Sequence, residues 1–452
     1  METKRGSFTG SLGFVLAAAA SAVGLGNLWR FPYLAAQHGG GIFILCYIVL
    51  AVTFGFALMA AEISIGRKTG KSPIKAYGMV DKRFGFLGAL ATIIPAIILP
   101  YYCVIGGWII KYMLAYVTGD AAAAAGDSYF GAFTGGAVEP SVYLVIFLMV
   151  TAFIVIAGVE KGVEKSSRIM MPLLLVLCGI VSIYVLTMPG TIGGLSYYLL
   201  PDFEKFSFKT VCAACGQMFY SMSLAMGIMV SYGSYMPKTS KITSSINQIQ
   251  IFDTVVAVLA GLMIIPAVFA FAGEAGLASS GPGLMYVTLP KIFIQMPGGV
   301  IMGALFFALV LFAALTSSVS IMEAVVSSLL DFFPKMSRRV ACIAVLVYAI
   351  VVGIFTSLGF GPLSFIAPLG MDLLTFFDYI SNSVMMPIVA LITCIMIGWC
   401  VGPKFVSDEV TRNGEGFARE KLFNVMIRFI CPVMLLAILV FYTAAQFGFI
   451  TV

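Results

Sequence analysis

The stretch Ala17-Ala-Ala-Ala-Ser-Ala-Val-Gly-Leu-Gly-Asn-Leu-Trp-Arg-Phe-Pro32 decides how this chain is read. It lies in an apolar segment from about Leu12 to Ala36, long enough to cross a bilayer, for which roughly 20 residues suffice. A plain span would not place Gly24 and Gly26 around Leu25 and follow them with Asn27, Arg30 and Pro32. The spacing predicts a helix that opens near mid-membrane. Open backbone at that depth is tolerated only where it is buried in protein or lines a cavity. Its freed carbonyls can hold a cation, and the amino end of the next half-helix can hold an anion. The expectation is therefore a transporter whose substrate and ion sites lie at the break.

The rest of the composition fits that setting. Of 452 residues 61% are hydrophobic and 10% charged, too apolar for a soluble chain of this length. The chain reads as an all-α polytopic membrane protein forming one transporter domain over residues 1–452. Nine cysteines lie in apolar stretches, and the close pair Cys212 and Cys215 is three apart on an expected helix. Thiols there behave as small buried hydrophobes rather than metal ligands. The basic amino end before an alanine run imitates a signal peptide; cleavage near Ala22 would remove the most unusual span and leave the others, so it is read as a span. There is no Asn-x-Ser/Thr sequon.

Apolar runs give about eleven transmembrane helices, near 11–37, 41–68, 88–117, 141–158, 167–188, 207–235, 241–272, 299–331, 338–358, 372–400 and 423–448. With the amino end cytoplasmic, the inside segments collect Lys4, Arg5, Arg67, Lys68, Lys71, Lys75, Lys238, Lys241, Arg338, Arg339 and others, while the outside segments hold only Lys205, Lys209 and Lys291. That bias sets the amino end in and the carboxyl end out. It also accounts for the net charge of +6 without nucleic acid as a partner. The outward loops at about 118–140 and 273–298 are long enough for short helices or a lid, or for ordinary connectors.

The sixth run repeats the anomaly of the first. Gly216-Gln217-Met218-Phe219-Tyr220-Ser221-Met222-Ser223-Leu224-Ala225-Met226-Gly227 puts small and hydroxyl residues at mid-membrane. Five spans separate the two breaks, and an odd number inverts the second unit. The reading is a 5+5 inverted repeat with discontinuous helices 1 and 6: repeat one about 11–188, repeat two about 207–400, and an extra helix about 423–448. Paired interruptions of this kind point to a midplane site.

Residues 22–33, Ala-Val-Gly-Leu-Gly-Asn-Leu-Trp-Arg-Phe-Pro-Tyr, with Gly39-Gly40-Gly41 and Glu62-Ile63-Ser64-Ile65-Gly66-Arg67 after them, resemble the neurotransmitter:sodium symporter family. The likeness is greatest to its bacterial amino-acid branch, typified by the leucine transporter. Tyr101-Tyr102 with Trp108, the sixth-span run, Leu315-Thr316-Ser317-Ser318 and Asp378 continue it through span ten. The chain departs from most relatives by ending after eleven spans rather than twelve.

The resemblance implies two sodium sites built of oxygen ligands, as a hard cation requires. One would use the Ala22 carbonyl, Asn27, Ser221, a seventh-span residue and the substrate carboxylate; Asp253 takes the seventh-span place, where the family has Asn, if the alignment shifts by one. The second would use the carbonyls of Ala20 and Val23 with Ala313, Thr316 and Ser317. Hydroxyls such as Thr316 and Ser317 also commonly bond their own helix. An acid at mid-span costs about 2.5 to 3.5 kcal/mol and needs a role; relatives that use chloride bind it near Asp253, so a fixed carboxylate implies transport with no chloride requirement. Glu62 is a second candidate, or else a buried acid paired to a hydroxyl.

Gly24 stands where amine carriers of the family have aspartate, which leaves room for an α-carboxylate. That carboxylate would meet the amides near Leu25 and Gly26 and the Tyr102 hydroxyl; the amine would meet the carbonyls of Ala22, Tyr220 and Ser221 and the Ser223 hydroxyl. The side chain would sit among Ile98, Tyr102, Ile105, Tyr220, Met226, Ser318 and Ile321, an apolar set with no charge to compensate a polar substrate. Arg30 and Asp378 would close the site from outside. Arg5 and Asp331, with Tyr235, Ser234 and Phe8, would close it from the cytoplasm, and Gly162 and Pro172 would let span five unwind locally or else punctuate a helix end. His38, the single histidine, carries no role beyond pH sensitivity.

The combined expectation is a sodium-coupled symporter importing hydrophobic L-amino acids by alternating access in a bacterial plasma membrane. Its partners would be the small amino-acid substrate and the bilayer, with no obligate protein partner. The alternatives are a proton-coupled amino-acid carrier and a transport-silent sensor or channel. No phosphate loop, metal cluster or nucleophile with its base marks an enzyme.

Overall fold

The structure is a computed structural model that describes residues 6–276 and 281–448; within them every regular element is helical. Nine described helices are long and apolar enough to span a membrane: Gly41–Thr69, Lys82–Thr118, Glu139–Ile156, Val159–Leu186, Ile242–Gly273, Gly299–Phe332, Arg338–Leu358, Leu373–Cys400 and Glu420–Gln446. These are spans two to five and seven to eleven. Large apolar side chains such as Phe153, Ile183, Val351 and Val433 stay exposed on their outer faces, as a lipid environment requires.

The two remaining spans are broken. Span one consists of Ser11–Ala22 and Gly26–Gln37, bent by 48°. Span six consists of Phe208–Ser221 and Ile228–Tyr235, with residues 222–227 between them out of regular helix. Each broken helix opens a series of five spans, and span eleven follows the second series. The sequence expectation for both interruptions holds, and the span boundaries differ from it by a few residues. Span three starts at Lys82 because a short 3-10 turn, capped by the Asp81 carboxylate, leads into it.

The local chemistry explains the breaks. In span one the ladder stops at Val23, whose backbone is extended (φ −78°, ψ 97°). The chain restarts when the amides of Asn27 and Leu28 bond the Gly24 carbonyl at 3.1 and 3.3 Å, and the Asn27 side-chain oxygen takes the Gly24 amide at 3.2 Å. In span six, Ser223 (φ 53°) and Ala225 (φ 59°) adopt the left-handed conformation that L-residues avoid. Such strain persists only where the surroundings hold it. Glu62 on span two supplies part of that hold by accepting the Ala225 amide at 2.6 Å.

The long loops carry short helices, Ala121–Ala124 and Tyr129–Thr134 in the first and Leu289–Gln295 in the second. Between them Tyr286 is buried in an aromatic cluster: its ring stacks on Phe130 at 5.1 Å and meets Trp108 and Trp29 edge-on at 5.8 and 6.3 Å. At the opposite end of the bundle, rich in lysine and arginine, Arg67 is fully buried and bonds the Glu409 carboxylate and the Ser240 carbonyl, both at 2.7 Å. That end is called the basic end below.

Candidate functional site

The two breaks meet. Between them lies a narrow cavity. Span one contributes Ser21, Ala22, Gly24, Leu25 and Gly26, and span six contributes Tyr220, Ser221, Ser223 and Met226. Ile98 and Tyr102 of span three and Ser317 and Ile321 of span eight complete the wall.

The cavity has a polar pole and an apolar pole. At the polar pole a Cβ added to Gly24 would fall 2.4 Å from Ser317 Oγ and 3.3 Å from the Tyr102 hydroxyl, so only glycine leaves this corner open. The Tyr102 hydroxyl is buried close to Ser317 and the Leu25 amide. A ligand acceptor for its proton would add a hydrogen bond worth about 0.5 to 1.5 kcal/mol net. At the apolar pole stand Ile98, Met226 and Ile321, with no charged side chain in the wall. Hydrogen bonds tie the halves together: Ser223 Oγ and Ser317 Oγ both donate to the Ser21 carbonyl, at 3.1 and 3.2 Å, and Gln217 donates to the Gly26 carbonyl at 2.8 Å.

A second cluster backs the polar pole. Asp253 of span seven is fully buried, and its carboxylate accepts from Asn27 Nδ2 at 2.8 Å, from Ser221 Oγ at 2.5 Å and from the Tyr47 hydroxyl. Ser221 Oγ also lies 3.3 Å from Asn27 Oδ1. Its single proton goes to the nearer carboxylate, and the amide oxygen, which already accepts the Gly24 amide at 3.2 Å, keeps its second lone pair for a cation. Amide, hydroxyl, carboxylate and the nearby carbonyls of span one form an oxygen-only set, the chemistry a hard cation takes. Among the described residues no group of three or more His, Cys, Asp or Glu offers a transition-metal site.

The other expected cation set is looser. Thr316 donates to the Ala313 carbonyl of its own turn at 3.0 Å, the local bond that mid-helix hydroxyls favour. Ala20, Val23, Ala313 and Ser317 are all buried, and Ser317 reaches across to span one. A hydroxyl that donates to its own helix still presents a lone pair, so the oxygen chemistry fits a hard cation here as well.

Several expected placements are corrected. Ser318 does not face the cavity: adjacent residues on a helix point about 100° apart, and Ser318 lies 2.9 Å from Thr151 of span four while Ser317 takes the wall. Ile105 is buried but lies two turns beyond Ile98 and outside the wall. Arg30 and Asp378 do not form an ion pair within 4.0 Å; Arg30 lies over the Tyr220 ring at 5.4 Å, and Asp378 is held by Tyr101 at 3.2 Å and Asn382 at 2.6 Å. Span five is wound at Gly162, where a π-type turn runs Val159–Glu164 and a Cβ would meet the Ile154 carbonyl at 2.0 Å. This glycine lets span five pack closely against span four.

Arg5 lies outside the described residues. Its expected partner Asp331 accepts from the Ser72 amide and hydroxyl at 2.7 and 2.6 Å and sits 3.7 Å from Lys71. Phe8 packs edge-on against Tyr232 and Tyr235, and its amide donates to the Tyr235 carbonyl at 3.1 Å. Sequence reasoning missed the centre of this closure. Glu323 of span eight, fully buried, accepts from the Tyr235 hydroxyl at 2.8 Å and pairs with Arg338 of span nine. An acid in so apolar a helix was the available signal, the same one that singled out Asp253.

The two ends of the cavity differ in cover. Trp29, Arg30, Tyr33, Tyr220 and Asp378 keep partial exposure on one side, whereas Phe8, Ser231, Tyr232, Tyr235, Glu323 and Ser327 are buried on the basic side. The cover is fully buried toward the basic end, and at the other it mixes these half-buried residues with the buried Tyr286 and Trp108.

Comparison with known proteins agrees with this geometry. The model of the Sodium:neurotransmitter symporter family matches residues 5–130 and 134–448. The sodium-dependent transporter YhdH of Bacillus subtilis is 32% identical over 447 residues, covering 97% of each chain. The sodium-dependent transporter MJ1319 of Methanocaldococcus jannaschii is 32% identical over 430 residues, covering 91% of this chain and 85% of its own. The sodium- and chloride-dependent GABA transporter 2 of Rattus norvegicus is 24% identical over 97% of this chain and 80% of its own. The crystal structure of MhsT in complex with L-phenylalanine superposes with a TM-score of 0.86 at 35% identity, covering 96% of this chain and 99% of that one. A multi-pass helical chain with two broken spans, an uncharged cavity and buried oxygen clusters at their meeting point thus belongs to the sodium:neurotransmitter symporter family, whose members are transporters and not enzymes.

Proposed function

We propose that this sodium-dependent transporter imports hydrophobic L-α-amino acids, coupling each to inward sodium flow through two sodium sites and without a chloride requirement. The carrying observation is the polarity of the cavity: the Tyr102 hydroxyl and the open corner beside Gly24 at one pole, and Ile98, Met226 and Ile321 with no charge at the other. A carboxylate at Gly24 accepts from Tyr102 and from the amino end of the second half of span one. The α-ammonium is met by carbonyls of the unwound segments, and Ser223 orients against them. A lysine or glutamate side chain at the apolar pole would be buried without a partner, which is costly. The phenylalanine held by MhsT, at 35% identity, supports an amino-acid ligand here.

Sodium enters as a co-substrate. Asn27, Ser221 and Asp253 with the Ala22 carbonyl hold one ion beside the substrate carboxylate; Ala20, Val23, Ala313, Thr316 and Ser317 hold the other. Asp253 supplies the fixed negative charge that an exchangeable chloride would otherwise bring. In a bacterial plasma membrane with the basic end cytoplasmic, each sodium ion gains about 2.3 kcal/mol per 100 mV in addition to its gradient. The seal at Glu323, Arg338, Tyr235 and Phe8 is then the inner gate, and the opposite side faces outward. Radiolabelled phenylalanine binding to the purified protein tests the substrate class. Leucine and tryptophan are expected to displace it in sodium, and lysine and glutamate are not; equal displacement by lysine would overturn the reading.

A further inference from the structure

A second cavity lies away from the broken helices, at the basic end between span ten, the helix Lys404–Thr411 and the start of span eleven. It is an open cleft whose lining includes Gly402 and Pro403. Lys404, Ser407 and Asp408 face it from the short helix, and Glu420, Asn424 and Arg428 from span eleven.

The charges around this cleft are unusual. Two cations, Lys404 and Arg428, share it with two acids, Asp408 and Glu420, and among the described residues no ion pair within 4.0 Å joins any of the four. Opposite charges left apart around one cleft make a complementary frame for a ligand that carries both signs. Two of its polar atoms lack a partner, the hydroxyl of Ser407, which is only 7% exposed, and the side-chain oxygen of the half-buried Asn424.

Position says what kind of ligand. Arg428 lies eight residues into span eleven, roughly 12 Å along its axis, where an arginine is costly unless it reaches the headgroup layer. Its Nε donates to the Gly398 carbonyl at 2.9 Å, which fixes the guanidinium at the mouth of the cleft. Beside it Trp399 and Phe429, both exposed, meet edge-on at 5.5 Å. Exposed aromatic rings at the end of a span mark the membrane interface.

We infer that this cleft binds the headgroup of a phosphatidylethanolamine-class lipid in the leaflet at the basic end. The phosphate is taken by Arg428 and Lys404 and the primary ammonium by Asp408 and Glu420, with the acyl chains running over Trp399 and Phe429. A choline headgroup cannot donate hydrogen bonds to the two acids, and a glycerol headgroup brings no cation to them.

Native mass spectrometry of the purified full chain tests this, with equal amounts of phosphatidylethanolamine, phosphatidylcholine and phosphatidylglycerol supplied in detergent. At least fivefold preferential retention of phosphatidylethanolamine is expected, with soluble glycerophosphoethanolamine displacing it. Asp408→Asn with Glu420→Gln should abolish the preference over phosphatidylglycerol, and Arg428→Gln should lower retention of both phospholipids. Should Arg428→Gln fail to fold, the acid-neutralised variant decides alone. Equal retention of the three lipids, or an unchanged preference in the acid-neutralised variant, overturns the inference.

Discussion

Replacing Glu323 by glutamine tests whether the seal at the basic end is a breakable gate. The carboxylate is fully buried and accepts from Tyr235 and from two nitrogens of Arg338, so it joins spans six, eight and nine. Removing one partner of a buried pair costs about 3 to 5 kcal/mol. Arg338 keeps 24% of its side chain exposed, so water can take over part of its solvation. Glutamine also keeps an oxygen for Tyr235, and the net loss falls to about 1 to 3 kcal/mol. If this seal limits opening, the open population rises by about 5- to 150-fold, since each 1.4 kcal/mol is tenfold. Hydrogen exchange of the amides in Ile228–Tyr235 and around Phe8 reads that population directly. Adding Arg338→Gln to Glu323→Gln should cost less than the sum of the single changes, because the second removes a charge already stranded. Exchange within twofold of the parent in Glu323→Gln would refute the reasoning and leave the pair a static brace.

Three further outcomes follow from the site. Asp253→Asn removes the fixed charge beside Asn27 and Ser221 and should weaken apparent sodium affinity by about 10- to 100-fold, the range that a loss of about 1.4 to 2.8 kcal/mol gives; added chloride should restore part of it, and sodium titrations with chloride or gluconate show whether it does. Gly24→Ala places a methyl 2.4 Å from Ser317 Oγ. Overpacking of this kind costs about 1 to 3 kcal/mol of stability, so the melting temperature should fall, and phenylalanine affinity should fall at least fivefold because the methyl fills the carboxylate corner. His38, beyond the end of span one, has its pKa lowered by burial and by the nearby Lys209. A base lowered in the folded state loses stability as pH falls from the unfolded value, about 6.5, toward the folded one. The parent should therefore melt earlier at about pH 5.5 than at about pH 7.5, and His38→Gln should shrink that difference.

The sequence made the breaks legible because glycines, an asparagine and small hydroxyl residues at mid-span leave few other readings. The buried acid Asp253 was legible for the same reason, since a carboxylate in lipid demands a partner. Glu323 offered the same signal, but its partner Arg338 stands fifteen residues on in another helix, and no spacing rule joins them. Ser317 and Ser318 differ by one position, and only the rotation of span eight decides which faces the cavity. Tyr47, which holds Asp253, is one aromatic among many in apolar runs and carries no pattern at all. Arg30 and Asp378 stand apart because each is held by other neighbours, Arg30 over Tyr220 and Asp378 by Tyr101 and Asn382, which no sequence spacing shows.

Uptake of radiolabelled phenylalanine into proteoliposomes, under an imposed inward sodium gradient, tests the central claim most directly. Accumulation above equilibrium that collapses when potassium or choline replaces sodium, and that persists when chloride is replaced by gluconate, is the result expected here. Accumulation driven equally by a proton gradient without sodium, or binding that never becomes accumulation, would contradict it.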